Sequence, residues 1–364
     1  MTTTKNSGKL LVFLLPHIQN SATILIMEWN LYGHQWAADI LQKHISNDSI
    51  RHAYLFSGAP GIGRRSLAIK FAQAINCIQP PTAGTPCGIC RICKQTVSLQ
   101  QPDLSIVQVE EDKHEIRIEQ IREIQRSLSL SPYEAKYRIA LLLNFHLANP
   151  NAQNALLKTL EEAPAKVILL LTADAAENLL PTITSRSEIL RLRPVAITEM
   201  IPILQTKWNL DPQSAKEIAH LSSGRYGLAQ AYIFNPEQLE LIHDRLMDQV
   251  ELFKMNLPDR FQYIEKLTAT RRRGEVKETI QQIIQIWLLF WRDALLLNSG
   301  DSARITYTQF SSISQQISTC LSLEQINAFI KKLEETLTLL ENNINIRLLL
   351  EELMIEWPAL HLAY

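Results

Sequence analysis

No run in this 364-residue sequence is both apolar and long enough to cross a membrane. The stretch "IIQIWLLFW", Ile283 to Trp291, falls well short of the roughly 20 residues a spanning helix needs. Excess charge of one sign is also missing. Lys and Arg number 36 against 37 Asp and Glu, for a formal net charge of -1. That balance disfavours a strong nucleic-acid binder acting alone; the short run Arg271-Arg272-Arg273 reads as a solvated helix end. Cysteine is scarce and unevenly placed: Cys77, Cys87, Cys90 and Cys93 cluster, and Cys320 stands apart. An odd count with one tight cluster excludes a disulfide framework and points to metal in a reducing compartment. Internal repeats and low-complexity tracts are absent.

What is present describes a globular chain of two or three domains. It is 46% hydrophobic and 20% charged, enough for a sizeable core. Residues 1–26 hold "GKLLVFLLP", an apolar run stopped at Pro16 with no clear small-residue cleavage site after it. They read as a non-native start or a disordered extension. Met27 follows, just before helical periodicity begins in "EWNLYGHQWAADIL".

From about Trp29 to Pro194, short apolar runs alternate with helical patterns. The runs "HAYLFSG", "LSIVQVE", "RIALLL", "KVILLLTA" and "EILRLRP" are nearly continuous in apolar residues, as strands covered on both faces are. Between them, "RRSLAIKFAQAI", "RIEQIREIQRSLSL" and "NPNAQNALLKTLEEAP" have helical spacing. In the last, Asn149 can cap, Pro150 suits the first turn and Pro164 ends the pattern. Strand and helix alternating in this way predict an α/β fold with a parallel sheet over 27–193. After Pro194 the strand signals vanish. A small helical domain is expected over 194–235, broken at Asp211-Pro212 and Gly224, and an all-α domain over 236–364.

The stretch "SGAPGIGRRSLA" carries the first chemical signal. Gly58 and Gly63 have the spacing of a phosphate-binding loop, Gly61 lies between them, a strand precedes and a helix follows. Such glycines let backbone N–H groups face a phosphate at a helix N-terminus. The next two slots depart from the pattern. Arg64 stands where lysine should, and Arg65 where a metal-binding hydroxyl should, with Ser66 one residue late. Arginine keeps the charge but is a longer, planar fork, and it offers a metal no oxygen. Two readings stay open: a bare strand-to-helix turn, or a weak nucleotide site that does not hydrolyse.

A second absence bears on hydrolysis. Phosphate-loop ATPases need a carboxylate after a second apolar strand to hold Mg²⁺. Here "RIALLL" runs into Asn144, Phe145 and His146, and no Asp or Glu occurs between Glu134 and Glu161. Metal anchor and general base are both missing, so no independent ATP hydrolysis is expected. A lone loop histidine such as His146 is more often structural than a substitute base.

The four clustered cysteines are spaced x9, x2, x2 and sit among Pro80, Pro81, Gly84, Pro86 and Gly88. Four thiolates in a turn-rich knuckle, about residues 77–93, suit a closed structural Zn²⁺ site. An iron–sulfur cluster is the rival, with a different usual spacing; four unrelated thiols is the third reading. Further on, Thr172 ends an apolar strand, where a polar residue could sense a γ-phosphate. Arg186 lies in "TITSRS" before the last strand. In oligomeric ATPases an arginine so placed reaches a neighbour's ATP, but spacing alone favours a surface salt bridge.

Together these residues resemble the bacterial DNA polymerase III clamp loader, an AAA+ family. "NAQNALLKTLEEAP" is similar to its most specific helix, "TITSRS" to its SRC motif with Ser187 for cysteine, the four cysteines to its zinc module, and "GHQWAADIL" to its N-terminal segment. "WRDALLLNSG" and "ENNINIRLLLEEL" resemble its C-terminal collar. The similarity runs from about Met27 to the end and supports Met27 as the start. It implies an AAA+-like domain with a zinc module, a helical lid and an all-α collar that oligomerises. Within the family the match is closest to the stator type. Motor subunits keep the lysine, the threonine and an acidic pair, and the family's sensor arginine would fall on Gly227.

The resemblance further implies a cytoplasmic hetero-pentamer with motor (gamma/tau) and delta subunits, handling the sliding clamp and primer-template DNA, with no membrane. Arg186 becomes an arginine finger acting in trans. Gly58, Gly61, Gly63, Arg64, Arg65, Ser66 and Thr172 become a degenerate site, weak or vestigial for ATP or ADP. Cys77, Cys87, Cys90 and Cys93 become ligands of structural Zn²⁺. A diverged motor ATPase and an unrelated zinc-knuckle nucleic-acid binder are the alternatives.

Overall fold

The computed structural model describes residues 29, 31–110, 113–269, 273–342 and 344–360. The 1–26 segment, Met27 and the first two arginines of the basic run lie outside the described residues.

The apolar runs build one parallel sheet. After α1 (Gln35–Ser46), strand β1 (Ala53–Ser57) leads into α2 (Arg64–Asn76) and the short α3 (Arg91–Val97). Then follow β2 (Leu104–Val107), α4 (Ile118–Leu128), β3 (Arg138–Leu142), α5 (Pro150–Glu161), β4 (Val167–Ala173), α6 (Pro181–Thr184) and β5 (Glu188–Arg191). The strand order is β2-β3-β4-β1-β5, every pair parallel. β1 and β4 are buried along their whole lengths, which explains why their sequences do not alternate. Side chains still alternate between faces. Tyr54, Phe56, Leu141 and Leu170 pack with Leu41, Leu67 and Phe71 of α1 and α2. Leu55, Leu142, Leu169 and Leu171 pack with Ile121, Ile124, Leu156 and Leu160 of α4 and α5. The fold is α/β, and the sheet is covered on both faces.

β2 is shorter than the apolar run that encodes it. Its ladder stops where the Val107 carbonyl accepts from Leu143 N–H at 2.8 Å, and Gln108 and Val109 leave the sheet to line a cavity. β5 also ends early, at Arg191, although Leu192 N–H still bonds the Ser57 carbonyl at 2.7 Å.

Among the described residues after β5, only helices follow. α7 (Ile197–Trp208), α8 (Pro212–Leu221) and α9 (Tyr226–Phe234) enclose a small core of Met200, Leu204, Ala215, Ile218, Ala219 and Ala229. Asp211 caps α8, accepting from Gln213 and Ser214 N–H with Pro212 at the first position. The remaining helices are α10 (Pro236–Lys254), α11 (Leu257–Thr268), α12 (Arg273–Asn298), α13 (Ser311–Cys320), α14 (Leu323–Glu341) and α15 (Ile346–Ile355). They share a larger core centred on Phe253, Trp287, Phe290, Trp291, Phe329 and Trp357. The buried Arg260 guanidinium ties this body together by donating to the carbonyls of Leu252, Met354 and Trp357 at 3.0, 3.1 and 2.8 Å. The bond to Leu252 satisfies a carbonyl in the last turn of α10 that the helix end leaves open. Among the described residues, no helix is long and apolar enough to cross a membrane.

Candidate functional site

At the carboxyl end of β1 the chain turns through the glycine-rich loop into α2. Gly61 and Gly63 adopt φ of +77° and +113°, and the loop opens on a cavity of about 560 Å³. Gly61, Gly63, Arg64, Arg65 and Ser66 line it from the loop, and Thr172 lines it from β4. Gly58 does not line the cavity; its N–H bonds the Ala173 carbonyl at 3.1 Å and anchors the loop to β4. The buried His34, just before α1, fixes the other side by donating from Nε2 to the Ile62 carbonyl at 2.7 Å. Burial pulls its pKa down, so the ring is neutral at pH 7 and presents no charge to the loop.

Arg64, Asn144 and Thr172, which all line the cavity, are linked through both the side chain and the backbone of Asn144. Arg64 Nη2 donates to Asn144 Oδ1 at 3.0 Å, and Asn144 N–H donates to Thr172 Oγ1 at 2.8 Å. Asn144 holds this place in the left-handed region, φ 50° and ψ 49°, which asparagine tolerates better than most residues. Arg64 Nη1 is buried without a protein partner. Burial lowers the guanidinium pKa, and Asp174 opposes that shift. Arg64 therefore reaches the end of β3, where a hydrolytic site would keep its acidic residue, and meets a neutral amide there.

One carboxylate that the linear sequence hides comes near. Asp174 follows β4 and lies 3.6 Å from His146 Nδ1. It also accepts from Ala175 N–H at 2.7 Å and Asn178 Nδ2 at 3.0 Å. Burial raises its pKa, but the bonds from Asn178 and Ala175 hold it below the ordinary range. Asp174 and His146 engage each other, and neither lines the cavity. Burial also lowers the His146 pKa.

The lid helix α9 closes over the loop. A Cβ built on Gly227 would lie 2.7 Å from the Gly61 carbonyl oxygen, and one on Gly61 would lie 2.9 Å from Leu228 Cβ. Glycine at both positions permits this backbone approach.

The cysteine module lies between α2 and α3. The four Sγ atoms of Cys77, Cys87, Cys90 and Cys93 all fall within 4.8 Å of one another, with Cys87 and Cys93 at 3.9 Å. Zn–S bonds of about 2.3 Å in a tetrahedron put sulfurs ~3.8 Å apart, so the donor set fits zinc. Backbone N–H groups of Cys87, Cys90 and Cys93 point at the Sγ atoms of Cys77, Cys87 and Cys90, at 3.3, 3.3 and 3.4 Å. Such donors stabilise thiolates. The Cys90 N–H is the main cause that pulls the Cys87 thiol down to about 6, while burial pushes Cys77 and Cys93 up. Gln73 of α2 donates to the Cys93 carbonyl at 2.8 Å and fastens the module to the sheet domain.

Arg186 sits just past α6, away from this chain's own cavity. Its Nη2 lies 2.9 Å from Glu161 Oε1, and its Nη1 donates to the Thr182 carbonyl at 3.1 Å. Ser187 turns its hydroxyl inward to the Ile183 carbonyl at 2.9 Å. Sequence reading missed three partners: Asn144 for Arg64, Glu161 for Arg186, and Gly61 for Gly227. A glycine in the first turn of a helix, where it costs stability, was the one available signal.

Two family models match, both described as DNA polymerase III, delta subunit: one over residues 33–196, and a C-terminal one over 275–358. The DNA polymerase III subunit delta' of Bacillus subtilis is 26% identical over 321 residues, 87% of this chain and 93% of that protein. That of Pseudomonas aeruginosa is 38% identical over 135 residues, 37% of this chain and 41% of that protein. The gamma/tau subunit of Mycobacterium tuberculosis is 35% identical over 138 residues, covering 38% of this chain but 24% of that longer protein. Among solved structures, a DNA polymerase III gamma subunit-related protein from Thermotoga maritima is similar at 18% identity and a TM-score of 0.41, over 87% of this chain and 97% of that one. The glycine-rich loop on a five-stranded parallel sheet, followed by helices, defines a protein of the phosphate-loop α/β class. The chain belongs to the DNA polymerase III delta' family.

Proposed function

We propose that this chain is the stator of a DNA polymerase III clamp loader: it does not hydrolyse ATP, and it supplies Arg186 to ATP held by an adjacent motor subunit. The observation that carries the reading is the Arg64–Asn144 bond. A neutral amide stands where a magnesium-holding carboxylate is needed, and Asp174 is committed to His146 and the α6-side loop. The cavity keeps backbone donors and Arg64 for an anion, which supports weak nucleotide binding without turnover.

In this reading residues 27–193 form the AAA+-like domain, 194–235 the lid and 236–364 the oligomerising collar. Cys77, Cys87, Cys90 and Cys93 hold a structural zinc. Partners are gamma/tau and delta subunits in a hetero-pentamer, and the sliding clamp and primed DNA are met through that complex. An arginine supplied in trans neutralises transition-state charge and is worth ~10³–10⁵ in rate at the site it serves.

Reconstitution with gamma/tau and delta subunits tests the reading. The isolated chain is expected to show no Mg²⁺-dependent ATPase, and Arg186→Ala to leave assembly intact while lowering DNA-stimulated turnover. Clear turnover by the isolated chain would make it a motor. Unchanged turnover with Arg186→Ala would remove the finger.

A further inference from the structure

Arg186 follows a helix of only four residues, too short to hold a direction by itself. The structure fastens that helix to α5 at both ends. At its start, Leu180 N–H donates to Gln153 Oε1 at 3.0 Å, and the buried Gln153 donates in turn to the Ala148 carbonyl at 3.0 Å. Beyond its end, Glu161, the last residue of α5, meets Arg186 Nη2 at 2.9 Å. The α5 carboxyl terminus also carries partial negative charge, which favours a cation there.

We propose that Glu161 is a positioning residue for Arg186, holding the guanidinium in the orientation in which it meets an anionic ligand on a neighbouring subunit. This rests on the reading of Arg186 as an arginine finger. A guanidinium has five N–H donors in a rigid fork. Glu161 and the Thr182 carbonyl each take one from separate nitrogens, and Nη1 also approaches Ser185 Oγ at 3.5 Å. Nε–H and a second Nη2 hydrogen remain for phosphate oxygens. The side chains of Arg186 and Glu161 are 37% and 51% exposed, and an ion pair that wet contributes little to folding. Its effect is on direction: an arginine already restrained does not lose its rotamer freedom when the subunits assemble.

The test uses the full chain in a loader reconstituted with gamma/tau and delta subunits, comparing Glu161→Gln, Glu161→Asp, Arg186→Ala and the Glu161→Gln/Arg186→Ala double variant. Glu161→Gln is expected to keep the melting temperature and the assembly. The rate of the site it serves should fall on the order of threefold to tenfold, the equivalent of immobilising one long side chain. DNA-stimulated turnover should fall through kcat with little change in KM, Glu161→Asp should recover part of the loss, and the double variant should be no slower than Arg186→Ala. Turnover of Glu161→Gln equal to or above wild type, beside a slowed Arg186→Ala, overturns the role of Glu161 and leaves the finger standing. So does a double variant slower than Arg186→Ala. Unchanged turnover with Arg186→Ala overturns the finger itself, and the role of Glu161 with it.

Discussion

The Gly61 carbonyl oxygen lies 2.7 Å from the point where a Cβ on Gly227 would stand. α9 and the phosphate loop thus meet backbone to backbone. A side chain here must push α9 off the loop.

Gly227→Ala should therefore destabilise the protein by about 1–3 kcal/mol through overpacking. The sign is diagnostic, because glycine to alanine in a helix otherwise stabilises by roughly 0.5–1 kcal/mol. Denaturant unfolding decides it. A stabilised variant would mean that the lid stands off the loop in solution.

Arg64→Lys should leave the isolated chain without ATPase activity, although it restores the usual residue of a phosphate loop. The missing piece is a carboxylate at the end of β3, and Asn144 still stands there. Turnover above background in this single variant would show that another group holds the metal.

The cysteine module should carry about one zinc per chain by elemental analysis. Replacing the buried Cys93 by Ser should remove the metal and lower the melting temperature by about 4 °C or more, since metal binding and local folding are coupled. A metal-free chain with an unchanged melting curve would refute the site.

Two buried aspartates should act on stability in opposite directions with pH. Burial alone would raise the Asp103 pKa, but N–H groups of Tyr133, Glu134 and Ala135, at 2.6, 2.9 and 2.9 Å, hold it below the ordinary range. Its stabilisation is present above the unfolded value of about 3.9 and is lost as pH falls through the folded value. Asp103→Ala orphans those donors and should cost about 3 kcal/mol.

Asp293 accepts from Thr306 and Tyr307 N–H, at 2.8 and 2.7 Å, but burial wins and pushes it up to about 6. Between the unfolded value of about 3.9 and this folded value the native state holds a proton that the unfolded chain has lost, so stability falls as pH rises. Stability measured from about pH 4 to 6 should show wild type losing ground to Asp293→Asn, by roughly 3 kcal/mol in total. A flat difference would show that Asp293 does not titrate in that window.

Much of the architecture was legible because it depends on local pattern. Near-continuous apolar runs such as "KVILLLTA", short and β-branched at the start, read as strands covered on both faces, and β4 is buried throughout. Asn149 and Pro150 mark the start of α5 through bonds that reach three residues along the chain. Edge strands were harder: the apolar pattern of β2 continues past Val107, but its ladder has a partner on one side only and ends there.

By itself the sequence determined the α/β alternation, the four-cysteine spacing and the lack of any acidic residue between Glu134 and Glu161. Burial, backbone dihedrals and short ligand spacings are local properties, so a linear pattern can encode them. Which distant side chains meet was decided only by the tertiary structure. The β2-β3-β4-β1-β5 order sets the end of β3 within reach of the loop after β1, which brings Asn144 to Arg64. Packing of α6 along α5 brings Glu161 to Arg186, and the lid brings Gly227 to Gly61. Those pairings depend on crossover connections and helix packing, and no spacing along the chain encodes them.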